Sequence, residues 1–372
     1  MPAYLDYAAS TPMRPEAIDA MAPYLRDRFA NSSGAHAAAR QARQAVDEAR
    51  DVVAEALGCR PGEVVFTGSG TEADNHAVLG AVRRHGGTAV GSAVEHHAVL
   101  HPVEHVGGRL VGVDREGRID LDELADALHP DVTVVSVMLA NNEVGTVQPF
   151  AAAVDLVRQR APRAILHTDA VQAFAWLDVA AEAAAADCIS VSAHKFGGPK
   201  GVGALVVRGD VDLEPLILGG GQERDRRSGT HNVAGIVAMA AAMRATVAER
   251  VEVVARVARQ RDRLVDGLQA AVPGVHETVP RAVKVAGSAH VCVEGVESEA
   301  LLFLLDRAGL CASAASACAS GAMEPSHVLS AMGVPKEQAL GALRLSLGFA
   351  TTDADIEEAL TVIPAAVRQL RR

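Results

Sequence analysis

Two rhythms of hydrophobic and polar positions alternate along this chain. Apolar residues recurring every three or four positions predict helices at about 36–57, 72–85, 97–106, 121–128 and 151–160. Between them run the short segments Val64-Val65-Phe66-Thr67, Thr88-Ala89-Val90-Gly91, Val132-Thr133-Val134-Val135-Ser136-Val137 and Ile165-Leu166-His167-Thr168. These β-branched runs do not alternate apolar with polar, which marks strands of a mostly parallel sheet covered on both faces. Asp187-Cys188-Ile189-Ser190-Val191 and Gly203-Ala204-Leu205-Val206-Val207 add two more such strands. A long helical pattern from about 232 to 271 follows, and the turn signal Val272-Pro273-Gly274 ends it. Beyond it the order is mixed: a strand near 289–293, a helix near 297–308, a strand near 310–313 and a final helix near 353–370. The pattern predicts a large α/β domain, a connecting helix and a smaller C-terminal domain, without internal repeats.

Composition narrows the possible functions. A length of 372 residues allows two or three domains with ample core. The net charge of −11 argues against nucleic acid and anionic membrane as partners, and 3% aromatics leaves little for base stacking. The start, Met1-Pro2-Ala3-Tyr4-Leu5-Asp6, lacks a basic region followed by an apolar run, and no apolar stretch reaches membrane-spanning length. A cytoplasmic protein is expected. Cys59, Cys188, Cys292, Cys311 and Cys318 are an odd set without zinc-site spacing, so neither a disulfide framework nor a bound metal is expected. Cys318 stands apart from the others: it lies in a run of small residues, Ser313 to Ala322, that leaves a thiol accessible. An incidental loop cysteine is the plainer account.

Candidate chemistry gathers at predicted strand exits. Ser192-Ala193-His194-Lys195 places one lysine just past a buried strand, where open α/β sheets bind ligands. Asp169 ends the run Ile165–Thr168, with Gln172 three residues on. A lysine near such a carboxylate suits Schiff-base chemistry with pyridoxal phosphate, the acid holding the pyridinium nitrogen. Gln172 can reach the ring's phenolic oxygen, and His96, after another strand-like run, could stack on the ring. Gly68-Ser69-Gly70-Thr71-Glu72 joins a strand to a helix; Gly70 and Thr71 there suit a phosphate, although a capped turn has the same look. Asn141-Asn142-Glu143 offers amide donors for a carboxylate. Arg344, a lone cation in an apolar run, needs an anion: either a substrate carboxylate or a structural partner. Gly219 to Thr230 mixes glycines, cations and hydroxyls, which suits phosphate contact or a subunit edge.

With these residues in place, the chain resembles the cysteine desulfurases of the NifS/IscS type, in the class V aminotransferase group. The likeness runs through Tyr4 to Pro12, the Thr71 loop, Glu95-His96-His97, Asn141 to Gly145, Asp169 to Gln172, Ser192 to Lys195, Arg227 to Thr230, Ser316-Ala317-Cys318 with Glu324-Pro325-Ser326, and Arg344. It implies the α/β type I fold of pyridoxal-phosphate-dependent transferases. A large domain (13–250) would hold a mostly parallel seven-stranded sheet; a small α+β domain (1–12 and 251–372) would carry the cysteine loop. It further implies that Lys195 carries the cofactor, that Asp169 and Gln172 hold the ring, and that His96 stacks on it and serves as acid or base. Gly70, Thr71, Ser192 and His194 would hold the phosphate, joined by Thr230 from the other subunit of a homodimer. Asn142 and Arg344 would grip the carboxylate of L-cysteine. Cys318, on a mobile loop, would take the sulfur as a persulfide, release L-alanine and pass the sulfur to an acceptor protein for iron–sulfur clusters, tRNA thiolation or another pathway.

Two departures limit the likeness. The usual Ser-Gly-Ser-Ala-Cys reads Ala314-Ala315-Ser316-Ala317-Cys318, losing a glycine. Arg372 follows the last helix closely, without the tail by which housekeeping members dock a cluster scaffold, so delivery to that scaffold is not implied. An aminotransferase or C–S lyase in which Cys318 is dispensable is the alternative within the same cofactor class. A non-catalytic subunit that keeps only the fold is a third reading.

Overall fold

A computed structural model of the protein describes residues 2–314 and 326–372. Seven strands form the central sheet: β2 (Val64–Thr67), β3 (Thr88–Ser92), β4 (Arg109–Val111), β5 (Val132–Ser136), β6 (Ile165–Asp169), β7 (Cys188–Ser192) and β8 (Gly203–Val207). β1 is the two-residue strand Ala3–Tyr4. The sheet order is β2-β8-β7-β6-β5-β3-β4. Strand β8 alone runs against its neighbours, so the sheet is mostly parallel as the sequence predicts. Val64 and Phe66 enter one core with the helices Ala37–Leu57 and Phe150–Arg160, while Val65 enters another with the helix Gly70–His85. Both faces are thus covered by helices, which is why these strands read as continuous apolar runs.

The long helix Val233–Ala271 buries Ile236, Met239 and Met243 in the first core and Val257, Leu264 and Leu268 in a third. That third core covers an antiparallel sheet of β9 (Val275–Glu277), β10 (Ser288–Val293) and β12 (Ala342–Ser346), ordered β12-β10-β9. The helices Ser298–Arg307 and Asp353–Leu370 pack on it. The strand expected at 310–313 is only β11 (Leu310–Cys311); Ser313 makes a single bridge to Arg344 instead. β11 pairs with β1, which carries the N-terminus into this second unit. From there the chain crosses back: Ala8 N–H donates to Ser346 Oγ at 2.8 Å, and Thr11 N–H to the carbonyl of His194 at 2.9 Å. One short segment therefore stitches β12 to the turn that carries Lys195. No helix among the described residues is long and apolar enough to cross a membrane.

Candidate active site

Four strand ends and one helix start build the site. Asp169 is the last residue of β6 rather than the first beyond it, and β7 leads directly into a 3₁₀ turn, Ala193–Lys195. The helix Gly70–His85 begins between them, two residues earlier than its apolar rhythm suggests, capped by Ser69, whose hydroxyl accepts from Glu72 N–H at 3.1 Å. Its first N–H groups have no partner within the helix ladder. A cavity of about 260 Å³ lies at this junction. Gly70, Thr71, His96, Asn142, Asp169, Gln172, Ser192, His194 and Lys195 all line it. Seven of these were singled out from the residues themselves, and Ser192 and His194 through the family resemblance; the structure brings all nine around one space. A smaller crevice of about 30 Å³ shares Asn142, Gln172 and Lys195 with it and is lined by Arg344.

Lys195 donates through Nζ to the carbonyls of Ala8 and Ala9. Burial, and then the nearby Arg344, lower its pKa to about 8, so roughly a tenth is the free amine at pH 7, far more than for an ordinary lysine. Asp169 accepts from Val171 N–H at 2.8 Å, and burial raises its pKa. The His96 ring is reachable through the cavity mouth yet crowded by protein; burial and then Lys195 lower its pKa to about 4. His96 Nδ1 accepts from Ala98 N–H at 3.1 Å, capping the helix His97–His105 and fixing the ring. Ser192 Oγ and His194 Nδ1 lie 2.9 Å apart, and burial lowers the His194 pKa to about 4.

These residues fit pyridoxal phosphate. The Gln172 carbonyl oxygen is buried without a partner among the described residues, and it faces the cavity from which a bound group can supply one. A Cβ on Gly70 would come within 2.7 Å of Val171 Cγ2, so only glycine leaves bare backbone there for an anion. Thr71, Ser192, His194 and a helix start are a donor set for a phosphate. Asp169 is the acceptor that a pyridine N–H needs.

Arg344 sits in β12 and donates through Nη2 to Asp6 Oδ1 at 2.8 Å and through Nη1 to the carbonyl of Asn142 at 3.2 Å. Its Nε is buried and has no hydrogen-bond partner among the described residues. A structural ion pair and an open donor thus coexist. Sequence reasoning missed Asp6, because residues 338 positions apart give no local signal. Arg227 is spent on Glu72, with Nε and Oε1 2.7 Å apart, and Glu72 in turn accepts from Gly68 N–H. That cation therefore braces the 68–71 loop from behind.

Thr230 is exposed and is not among the residues lining the cavity. Its loop holds three successive left-handed residues, Glu223, Arg224 and Asp225, each costing roughly 1–2 kcal/mol. Arg50 holds that loop with two hydrogen bonds of 2.7 Å to Glu223, both residues being buried. Cys318 lies outside the described residues. Cys59, Cys188, Cys292 and Cys311 are free thiols, and Cys188 and Cys292 are buried.

Fold and site together define a pyridoxal-phosphate-dependent enzyme, and the chain belongs to the aminotransferase class-V family, whose pattern spans residues 3–359. Within that family it belongs with the cysteine desulfurases of the IscS and NifS type. It is 46% identical to an IscS-like cysteine desulfurase of Mycobacterium tuberculosis, over 100% of this chain and 97% of the relative. A solved NifS-like protein superposes with a TM-score of 0.93 at 34% identity, over 99% of this chain and 100% of that one. A structure described as SspA in complex with cysteine gives 0.81 at 31% identity, over 94% and 99%.

Proposed function

We propose that this protein is a cysteine desulfurase that takes L-cysteine to L-alanine and holds the sulfur as a persulfide on Cys318. The observation that carries the reading is the convergence of Lys195, Asp169, Gln172 and His96 on one cavity that shares a wall with the Arg344 crevice. When bound, the cofactor supplies an aldehyde that condenses with amines and a ring that delocalises negative charge from the neighbouring carbon. Everything else falls to the chain. Lys195 offers a free amine to hold the cofactor and to exchange it for the substrate. Asp169 keeps a proton on the pyridine nitrogen. His96, neutral at physiological pH, stacks on the ring and can accept the substrate ammonium proton. Arg344 and Asn142 orient the substrate carboxylate.

The Cys318 thiolate then attacks the substrate sulfur. A new S–S bond forms as the substrate Cβ–Sγ bond breaks. That electron pair stays with the carbon, which takes up a proton and leaves as alanine. The persulfide passes from Cys318 to an acceptor protein, for iron–sulfur clusters, tRNA thiolation or another route. Thr230 completes the partner's phosphate site in a homodimer, and the work is cytoplasmic. Incubation with L-cysteine should give one alanine and one persulfide per chain, and Cys318→Ser should lose the persulfide. A variant that still desulfurates cysteine at the original rate would point to a C–S lyase instead.

A further inference from the structure

Around and beneath Asp169 lies a polar layer to which the reaction assigns no task, and one of its members, Asp74, also lines the cavity. His167 and Asp169 share one face of β6, two residues apart. Register places Ser136 of β5 opposite His167 and Ser190 of β7 opposite Asp169. The His167 ring bridges the row, with Nδ1 2.8 Å from Ser136 Oγ and Nε2 2.9 Å from Ser190 Oγ. It has no solvent exposure, and burial lowers its pKa to about 3, so it is neutral. The second turn of the helix Gly70–His85 lays Asp74 on this row, with Oδ1 3.5 Å from His167 Nε2. Glu95 enters from the end of β3, and its Oε1 accepts from Met138 N–H at 2.7 Å. Asp74 is 1% exposed and Glu95 0%; Oδ1 of the first and Oε2 of the second are buried without hydrogen-bond partners among the described residues.

Three carboxyls therefore crowd one desolvated floor: Asp169 and Glu95 raise the cost of charge on Asp74, and Asp169 raises it on Glu95. Among the described residues no cation acts on Asp74 or Glu95, and of the three carboxyls Lys195 acts on Asp169 alone. Three buried negative charges beside one cation are not sustainable, and the charge settles where hydrogen bonds and the cation are. Asp169 has both: the Val171 N–H and Lys195.

We infer that Asp74 and Glu95 are positioning residues held as uncharged carboxylic acids, confining a single negative charge to Asp169, the carboxylate that faces the cofactor nitrogen. The inference rests on the proposed role of Asp169. A neutral Asp74 can donate to Ser190, Ser190 to His167 Nε2, and His167 Nδ1–H to Ser136, which leaves His167 and both serines satisfied. A second charge on the floor would add to the negative field at the cofactor and at Lys195.

Isosteric amides separate the alternatives. In the holoenzyme, Asp74→Asn and Glu95→Gln should leave the pH midpoint of the cofactor absorbance within about 0.3 unit of wild type. A downward shift of a unit or more is what removal of a real charge at this range produces, and it would overturn the inference. The cofactor-free chain gives an independent reading. Burial raises both carboxyl pKa values, Glu95 to about 8, while unfolded carboxyls ionise near pH 4. Between those limits the unfolded state binds fewer protons, so native stability falls as pH rises. Each amide variant should melt higher than wild type at pH 8 and level with it at pH 4; a lower melting temperature at pH 8 contradicts us. Should either variant fail to fold, the infrared C=O stretch of protonated carboxyls in wild type at pH 7 decides, its absence refuting the proposal. Failure to bind pyridoxal phosphate would sink the functional reading while leaving the melting and infrared tests in force.

Discussion

Lys195 owes its reactivity to its surroundings. Desolvation comes first and the Arg344 cation second, and both favour the uncharged amine. Pyridoxal phosphate capture by the cofactor-free protein should therefore quicken with rising pH and level off above about 8. Stopped-flow absorbance across pH 6–10 measures the midpoint, and Arg344→Met should move it upward, since a cation that disfavours ammonium is gone. Lys195 and Asp169 were legible in the sequence because each stands where an apolar run stops, and a polar group there has one place to go. Asp6, Asp74 and Glu95 were not. Asp6 meets Arg344 only through the crossing of the N-terminal segment; burial of Asp74 depends on which helix face meets the sheet, and that of Glu95 on how the turn after β3 folds inward.

Six strands of the large sheet were legible because both faces are buried, so each is an unbroken apolar run; the edge strand β4, with Arg109 exposed, was not. Elements with weaker patterns were not. The helix Pro15–Arg26 carries Pro23 inside it and buries only Ala17, while β9 is three residues long. Nor did periodicity place the start of the helix Gly70–His85, since its first turn faces a cavity rather than a core. That start has little slack. Gly70→Ala would press a methyl against Val171 and Ser192, a strain of roughly 1–3 kcal/mol. Cofactor affinity should drop about tenfold to a hundredfold while the fold survives, measurable by equilibrium titration beside a circular dichroism spectrum.

At the scale of the whole molecule, the surface position of Thr230 separates a site completed by a partner from one completed within the chain. Lys195→Ala and Thr230→Ala chains, co-purified as a mixed pair, would contain one fully native site if Thr230 serves the neighbouring subunit. Half of the sites should then bind cofactor as tightly as wild type, counted by absorbance. None would do so if each chain used its own threonine.

The helix Val233–Ala271 is a shaft of about 58 Å, seated at one end under the large sheet and at the other under the small one. Between Thr246 and Val257 no residue of it is buried, yet Thr246, Arg250 and Val253 form part of the crevice wall beside Lys195 and Arg344. Polar ties hold this stretch, Glu249 to Arg14 and Arg256 to the carbonyls of Phe349 and Thr351, and any flexing there reshapes the space into which an amino acid must fit. Spreading the two hydrophobic masses apart and widening the doorway to the lysine are one mechanical act.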